Sequence, residues 1–300
     1  MLILLTGPHG QLGRALQPLL AQLGTVVALD RTHLDLADAD AIRRAVRHHD
    51  PQLIVNAAAY TAVDRAEQET HLAMAINATA PGVLAEEAEH LGIPLIHYST
   101  DYVFDGSRSG ARKESDEPHP INAYGLSKWR GEQAVLATKA TALIFRTSWV
   151  YGLQGQNFLN TMLRLGQERE QLQVVNDQTG APTWTHSLAE ATVRILSDAL
   201  STCPDDPLCG LESLRPHTGL FHMTNGGSTT WHEFAKSIFS LRPECHARLV
   251  PIASDQWPSP ARRPVNSLLD NAKLSEHFHM ALPHWYEALK LCLNSRPSGT

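Results

Sequence analysis

The chain has 300 residues, of which 43% are hydrophobic and 19% charged, and its 25 basic and 31 acidic side chains give a formal net charge of −6. These values are typical of a globular protein with one large or two smaller domains, and the absence of a basic block disfavours nucleic acid or an anionic membrane as a partner. No apolar run is long enough to span a bilayer, and the apolar start MLILLT is too short for a signal-peptide core.

In chain order, the first half alternates short apolar runs with helix-like segments. The apolar runs predict buried strands at Leu2–Thr6, Thr25–Leu29, Leu53–Ala57, Pro94–Ser99 and Thr141–Thr147. The segments between them predict helices at Gly13–Leu23, Ala39–His48, His71–His90 and Tyr124–Ala137. Runs that are apolar on both faces are typical of parallel strands covered by helices, so this part predicts an α/β fold with a doubly wound parallel sheet.

The second half has a looser rhythm. Helices are predicted at Asn157–Arg169, at His186–Leu200 and after the N-cap residue Thr230, with a strand at Leu172–Asp177 and a loop at Ser201–Gly219. The expected organisation is a nucleotide-binding domain of residues 1–151 plus about 172–200, and a smaller, discontinuous α/β substrate domain of about 152–171 and 201–300.

Three glycines, Gly7, Gly10 and Gly13, separate the first strand from the first helix. Glycines at this place permit a tight turn and a close approach of the backbone to a pyrophosphate at the helix N-terminus, which predicts a Rossmann-type dinucleotide site. The second strand ends at Asp30, suited to the free ribose 2′-hydroxyl of NADH, and Arg31 follows, suited to the 2′-phosphate of NADPH. Both cofactors are therefore expected to be used.

Tyr124 and Lys128 lie four residues apart, so that they share one face of the predicted helix. A free phenol has a pKa of roughly 10, and a neighbouring ammonium would lower that pKa towards the working range of a proton donor. By itself a four-residue pattern is weak evidence, since such patterns recur by chance.

Together, the glycine turn, the Tyr-x-x-x-Lys pair and the threonine at the end of the fourth strand resemble the extended short-chain dehydrogenase/reductases. Further segments are similar to nucleotide-sugar reductases of that family, over Met1 to about Leu293: VNAAAYTAVDRAE (Val55–Glu67), STDYVFDG (Ser99–Gly106), RTSWVYG (Arg146–Gly152), VVNDQTGAPT (Val174–Thr183) and ARRPVNSLLD (Ala261–Asp270).

The resemblance implies NAD(P)H-dependent reduction of the keto group of a dTDP-linked 4-keto-6-deoxy sugar. Tyr124 would donate the proton, Lys128 would hold the nicotinamide ribose and lower the tyrosine pKa, and Thr100 would bind the keto oxygen. Asp101 and Trp149 would hold the sugar. The residues expected to bind the cofactor are Gly7, Gly10, Gln11, Leu12, Gly13, Asp30, Arg31, Asp35, Leu36, Ala59, Tyr60, Thr61, Tyr124 and Lys128.

One position departs from the family pattern, and the roles of a few other residues stay open. Ala15 stands where relatives can carry a glutamate implicated in a metal-bridged dimer, so no metal is expected and a homodimer would have to form without one. Arg262 and Arg263 could bind a diphosphate or form a solvated surface pair. His97 is expected to be structural.

The sequence bears on three alternative functions. A 4,6-dehydratase is disfavoured because Tyr102 follows Thr100-Asp101 where that reaction needs a carboxylate. An epimerase is disfavoured only by the reductase-like segments. A non-catalytic regulatory subunit that binds NADP would have no chemical need for Thr100, Tyr124 and Lys128 together.

The four cysteines, Cys203, Cys209, Cys245 and Cys292, match no zinc spacing and are expected to be reduced thiols. With no secretory signal recognised, a cytoplasmic location is expected.

Overall fold

The computed structural model describes residues 1–295. Its strands are β1 (Leu2–Thr6), β2 (Thr25–Leu29), β3 (Leu53–Asn56), β4 (Leu95–Thr100), β5 (Ala142–Thr147), β6 (Val150–Tyr151), β7 (Gln171–Val175), β8 (Thr179–Gly180), β9 (Thr183–Trp184), β10 (Gly219–His222), β11 (Thr229–Thr230) and β12 (Arg248–Ile252). The first five strands begin and end within one residue of their predicted bounds, which confirms the reading of the apolar runs.

The helices of the same residues are α1 (Gln11–Leu20), α2 (Ala39–His49), α3 (Val63–Ala66), α4 (Thr70–Met74), α5 (Ala80–Leu91), α6 (Ala123–Leu136), α7 (Phe158–Glu168), α8 (Thr185–Ser201), α9 (Pro207–Glu212), α10 (Trp231–Leu241), α11 (Ala272–Phe278) and α12 (Trp285–Asn294). Short 3₁₀ turns occur at Asp101–Val103, Arg215–His217 and Ser254–Gln256. None of these helices is long and apolar enough to cross a membrane.

The main sheet contains six parallel strands in the order β10-β5-β4-β3-β1-β2. The strand order reverses between β1 and β3, because β2 lies on one side of β1 and β3 lies on the other. Open parallel sheets bind ligands in the crevice at the carboxyl ends of the strands beside such a reversal. The expected cofactor site therefore lies beside Gly7, which follows β1, and the alanines that follow β3.

Apolar residues cover both faces of the main sheet. One core packs β1, β3 and β5 against α1 and α8, and the other packs the opposite face against α2 and α5. A third core, formed around Tyr151, Phe234 and Leu289, joins α7, α10 and α12 away from the main sheet. Two covered faces are what the apolar strand sequences predicted.

The expectation that the strand near Leu172 completes the nucleotide-binding domain is wrong. The strand exists as β7, but its parallel partner is β12 in a separate two-stranded sheet. The sixth strand of the main sheet is instead β10, from the segment that the sequence assigned to the substrate domain. A strand pattern reveals the element but carries little information about a partner more than 70 residues away.

The segment Ser201–Gly219 is not simply a loop, because α9 begins within it. The Asp206 carboxylate accepts hydrogen bonds from the backbone N–H groups of Leu208 and Cys209, and Pro207 occupies the first helical position. Leu211 and Leu214 are buried in the core beneath α8. All four cysteines of the chain are free thiols.

The predicted helix His71–His90 is interrupted by a π-helical turn at Ala75–Thr79, between α4 and α5. At this turn α6 packs closely, because a Cβ atom on Gly131 would overlap the carbonyl oxygen of Asn77. Single π-turns within helices are frequent at functional sites. Here the turn places the buried side chain of Asn77 against the loop that follows β3.

Candidate active site

The glycine turn has the geometry of a dinucleotide cradle. Gly7 has a φ of +68°, and a Cβ atom on it would lie 2.8 Å from Ala58 Cα. A Cβ atom on Gly13 would overlap the carbonyl oxygen of Gly7 and lie 2.8 Å from its carbon. Gly10 precedes the first residue of α1 and donates its N–H to Gly7 O at 3.0 Å. Side chains are thus excluded where a pyrophosphate would approach the helix N-terminus.

The carboxylate of Asp30 is already engaged at the end of β2. Its Oδ1 accepts hydrogen bonds from Thr32 Oγ1 at 2.7 Å and Thr32 N at 2.9 Å, and lies 2.7 Å from His33 Nδ1. The bonds from Thr32 and His33 hold the pKa of Asp30 well below its usual range. Asp30 thus fixes the turn after β2, and Arg31 is exposed beside it.

The other residues expected at the cofactor lie along the same edge of the sheet. Tyr60, in the loop after β3, donates its N–H to Asn77 Oδ1 at 2.8 Å, and Asn77 Nδ2 donates back to Tyr60 O at 3.0 Å. Of the other residues expected at the cofactor, Ala59 is half-buried and Thr61 is exposed. Leu12 and Leu36 pack against the two cores of the main sheet. The Asp35 carboxylate accepts a hydrogen bond from Ala37 N, and Gln11 accepts one from Asn157 Nδ2.

Tyr124 lies in the first turn of α6, which is fixed from two sides. Asn122 caps the helix by accepting from Gly125 N at 2.7 Å, and its amide donates to Arg262 O at 2.8 Å. A Cβ atom on Gly125 would overlap Tyr102 O, so the helix start lies directly against the 3₁₀ turn after β4. The Tyr102 and Tyr124 rings meet edge to face, with centroids 5.7 Å apart.

Thr100, the last residue of β4, is brought to the Tyr124 phenol, as predicted for the catalytic set. Burial raises the pKa of Tyr124 to about 12, opposed by a hydrogen bond with Thr100 and reinforced by Asp101. The expectation of a lowered tyrosine pKa is therefore wrong in this structure, because the cost of desolvating the phenolate dominates. A phenol that stays protonated at neutral pH is the form that can donate a proton.

Asp101 is only 3% exposed, and its Oδ1 accepts a hydrogen bond from Thr100 Oγ1 at 3.1 Å. Its Oδ2 is buried without a hydrogen-bond partner among residues 1–295. Burial raises the pKa of Asp101 to about 7, against the opposing bonds from Ser267 and Thr100. Asp101 therefore contacts Thr100 directly, and a contact of Asp101 with the sugar stays a prediction.

Lys128 is buried and turns towards the sheet. Its Nζ donates to Tyr98 O at 2.6 Å and lies 3.3 Å from His97 Nε2. Burial lowers the pKa of Lys128 to about 8, with Glu132 opposing that change. The ammonium is thus anchored to β4, and it does not contribute to the pKa of Tyr124.

A buried ion pair fixes α6 against β4 and β5. Arg146 donates to both oxygens of Glu132 at 2.8 and 2.6 Å, and Ser99 Oγ donates to Glu132 Oε1 at 2.5 Å. Both charged side chains are at most 2% exposed. Because Glu132 lies one turn after Lys128, this pair holds α6 in register with the end of β4.

A cleft of about 1070 Å³ is lined by Tyr102, whose ring meets that of Tyr124, and by Phe158, Trp231, Trp257, Arg262 and Arg263, among others. Trp149 has a φ of +47° and stacks on Trp231, with ring centroids 3.5 Å apart and planes within 6°. A non-glycine residue in this conformation is uncommon and clusters at functional sites. Trp149 is thus held in a fixed position near the cleft, and its contact with a sugar stays a prediction.

The two arginines that the sequence left open differ in the structure. Arg263 forms a bidentate pair with Asp64, with nitrogen–oxygen distances of 3.1 and 2.8 Å. Arg262 is exposed and lines the cleft. Arg262 is therefore the freer of the two to meet an anionic group.

Sequence reasoning missed several residues of the site. Asn77 and Asn122 hold the loop after β3 and the start of α6, and Trp231 stacks on Trp149. Asn122 carries an N-cap signal, since it precedes the helix by one residue. The position of Asn77 depends on a π-turn, for which the sequence offers no local signal. Within residues 1–295, no three His, Cys, Asp or Glu side chains cluster as metal ligands would.

The glycine turn that a Cβ atom would fill fits a dinucleotide, and Thr100 and Tyr124 lie against Tyr102, which lines the cleft. Together with the parallel sheet, these features define a Rossmann-type enzyme of the extended short-chain dehydrogenase/reductase class. The family model of the RmlD substrate binding domain matches residues 1–297. The chain belongs to that family.

Curated relatives and solved structures agree with this assignment. The chain is 45% identical to the dTDP-4-dehydrorhamnose reductase of Burkholderia thailandensis, covering 98% of both chains, and 42% identical to that of Escherichia coli K12, covering 98% of this chain and 97% of the other. A dTDP-4-dehydrorhamnose reductase structure from Bacillus anthracis in complex with NADP is 35% identical, with a TM-score of 0.86 over 97% of this chain and 98% of that chain. A Thermus thermophilus UDP-glucose 4-epimerase, 20% identical with a TM-score of 0.78 over 98% of both chains, shares the fold.

Proposed function

We propose that this protein reduces the 4-keto group of dTDP-4-dehydrorhamnose to give dTDP-L-rhamnose, with NADPH or NADH as the reductant. It is an oxidoreductase of nucleotide-sugar metabolism. The observation that carries the proposal is the placement of Thr100 and the protonated Tyr124 phenol together at the end of β4. They lie at the same edge of the parallel sheet as the glycine turn after β1, and against Tyr102, which lines the cleft.

The cradle of Gly7, Gly10 and Gly13 would hold the pyrophosphate of the cofactor, with Arg31 near the adenosine ribose and Lys128 near the nicotinamide ribose. When bound, the reduced nicotinamide supplies a hydride. The residues of this chain handle the charge and the proton that go with it. Negative charge develops on the keto oxygen as the carbonyl is reduced, so hydrogen-bond donors aimed at that oxygen lower the barrier.

The Tyr124 hydroxyl would donate to that oxygen, and Thr100 Oγ1 would be the second donor once its hydroxyl turns away from Asp101 Oδ1. Tyr124 transfers its proton to the developing alkoxide, which leaves a phenolate. General acid catalysis of this kind is typically worth 10²–10⁴-fold in rate.

A regulatory subunit that binds NADP without catalysis is the alternative from another class. Turnover separates the two. NADPH oxidation is followed by absorbance on addition of dTDP-4-dehydrorhamnose, and other nucleotide-linked 4-keto sugars are tested in parallel. Substrate-dependent oxidation is expected to be fastest with the dTDP-linked deoxy sugar. NADPH binding without NADPH oxidation by any of these sugars would favour the function of a regulatory subunit.

We propose a homodimer that forms without a bridging metal and a cytoplasmic location. Sedimentation with and without EDTA tests the first, and an EDTA-sensitive dimer would contradict it.

A further inference from the structure

Three buried polar side chains form a row across neighbouring strands of the main sheet. Thr6 of β1 pairs in register with Asn56 of β3, and Asn56 pairs in register with His97 of β4. Thr6 Oγ1 lies 2.6 Å from Asn56 Oδ1, and Asn56 Nδ2 lies 3.0 Å from His97 Nδ1. All three are at most 1% exposed. The row ends at Lys128, whose Nζ lies 3.3 Å from His97 Nε2.

The chemistry of the row decides which ring nitrogen of His97 carries the proton. Burial, and then Lys128, lower the pKa of His97 well below its usual range, so the ring is neutral, with one N–H and one lone pair. An ammonium only donates hydrogen bonds, so the lone pair must be on Nε2, which faces Lys128. Nδ1 is then the protonated nitrogen and needs an acceptor.

Asn56 can supply that acceptor. A half-turn of its amide exchanges nitrogen and oxygen at nearly constant shape, so that Oδ1 accepts from His97 Nδ1 and Nδ2 donates to Thr6 Oγ1. The Thr6 hydroxyl accepts as readily as it donates. In this arrangement each donor of the row faces an acceptor, which buried polar groups require.

We propose that His97 is a positioning residue for Lys128, because its Nε2 lone pair accepts a hydrogen bond from one N–H of the ammonium. Asn56 and Thr6 select the His97 tautomer that makes this possible. Tyr98 O accepts the second proton. The third N–H of the ammonium is then available to the nicotinamide ribose. This inference rests on the role proposed for Lys128, and it assigns a function to a histidine that the sequence suggested was structural.

The other charged and titratable groups around Lys128 are few. From α6 itself they are Glu132, one turn later and paired with Arg146 of β5, and Tyr124, one turn earlier. From the turn after β4 it is Asp101, which bonds to Thr100. Of these, Glu132 favours the charged amine. His97 is therefore the group on β4 whose replacement should change the proton affinity of Lys128 without altering a formal charge.

The first test uses the parent protein without cofactor. Long-range ¹H–¹⁵N correlations of the His97 ring report which nitrogen is protonated, and the Nδ1–H tautomer is expected. A ring protonated on Nε2 would present an N–H to the ammonium and would overturn the proposal. This measurement needs no variant to fold.

The second test compares His97→Leu with His97→Gln. The pKa of Lys128 is read from its ¹³Cε shift in the cofactor-free protein, with the signal assigned by Lys128→Met. His97→Leu removes the acceptor and should lower the proton affinity of Lys128 about tenfold, as for loss of a hydrogen bond to a charged group. His97→Gln places Oε1 near the position of Nε2 and should restore most of the lost proton affinity.

The pH dependence of kcat/KM tests the same prediction during turnover. If charged Lys128 is needed, the basic limb of kcat/KM should move to lower pH in His97→Leu and return towards the parent in His97→Gln. An unchanged or raised Lys128 pKa in folded His97→Leu would overturn the inference. Normal turnover by Lys128→Met would instead overturn the proposed role of Lys128, while the tautomer and pKa results would still stand.

Discussion

Gly13 lies directly beneath Gly7, so closely that a Cβ atom on Gly13 would overlap the Gly7 carbonyl oxygen. The first turn of α1 and the end of β1 are thereby held in contact. This contact aims the N-terminus of α1 at the crevice where the strand order reverses.

Gly13→Ala should therefore separate α1 from the turn and weaken NADPH binding by tenfold or more, measured by NADPH fluorescence titration. Gly226→Ala is the matched control, because its Cβ atom would have no neighbour closer than 3.8 Å. The control should bind within about twofold of the parent. Equal affinity of Gly13→Ala and the parent would show that this turn does not hold the pyrophosphate.

Arg31 is expected to discriminate between the two cofactors. Its side chain is exposed just after β2, and we expect it to bind the 2′-phosphate that only NADPH carries. Arg31→Ala should lower kcat/KM for NADPH about tenfold and leave NADH nearly unchanged, since a hydrogen bond to a charged group is worth about 1.5–3 kcal/mol and this site is exposed.

The control for this comparison is Arg194→Ala, an exposed arginine of α8 beyond the cofactor edge. Asp30→Ala should weaken both cofactors, because its carboxylate fixes the turn through Thr32 and His33. An NADPH-to-NADH ratio of kcat/KM that stays at the parent value in Arg31→Ala would place the adenosine ribose elsewhere.

Asp101 should make the stability of the protein depend on pH. Its pKa is raised to about 7 in the folded protein, whereas an unfolded aspartate titrates near 3.8. Between these values the folded state binds a proton that the unfolded state lacks, so this contribution to stability decreases as pH rises from about 4 to 7. Asp101→Asn, which is always neutral, removes this dependence.

The free energy of unfolding is measured with urea at pH 5 and pH 8. The stability of Asp101→Asn relative to the parent should increase by about 2 kcal/mol between these pH values. Asp205→Asn, at an exposed position, should show no such change. A difference between Asp101→Asn and the parent that is the same at both pH values would mean that Asp101 is ionised in the folded protein.

Local sequence patterns predicted much of the fold and of the site. Strands β1 to β5 follow from apolar runs, and Gly7 and Gly13 follow from their place between a strand and a helix. The pairing of β7 with β12 did not follow from such patterns, because it depends on contacts between segments distant in sequence. The anchoring of Lys128 on Tyr98 O and His97 also lay beyond prediction, since helical spacing shows which residues share a face but not which strand that face meets.

The proposed reduction depends most directly on the phenol of Tyr124. Tyr124→Phe removes one hydroxyl from a half-buried ring, so the melting temperature and the affinity for NADPH should stay close to those of the parent. Tyr286→Phe on α12, far along the chain from the site, controls for loss of a phenol as such.

The decisive measurement is kcat/KM of Tyr124→Phe for dTDP-4-dehydrorhamnose with saturating NADPH. We expect a decrease of about 10²–10⁴-fold, with NADPH binding retained. Turnover within a few-fold of the parent would contradict the assignment of Tyr124 as the proton donor.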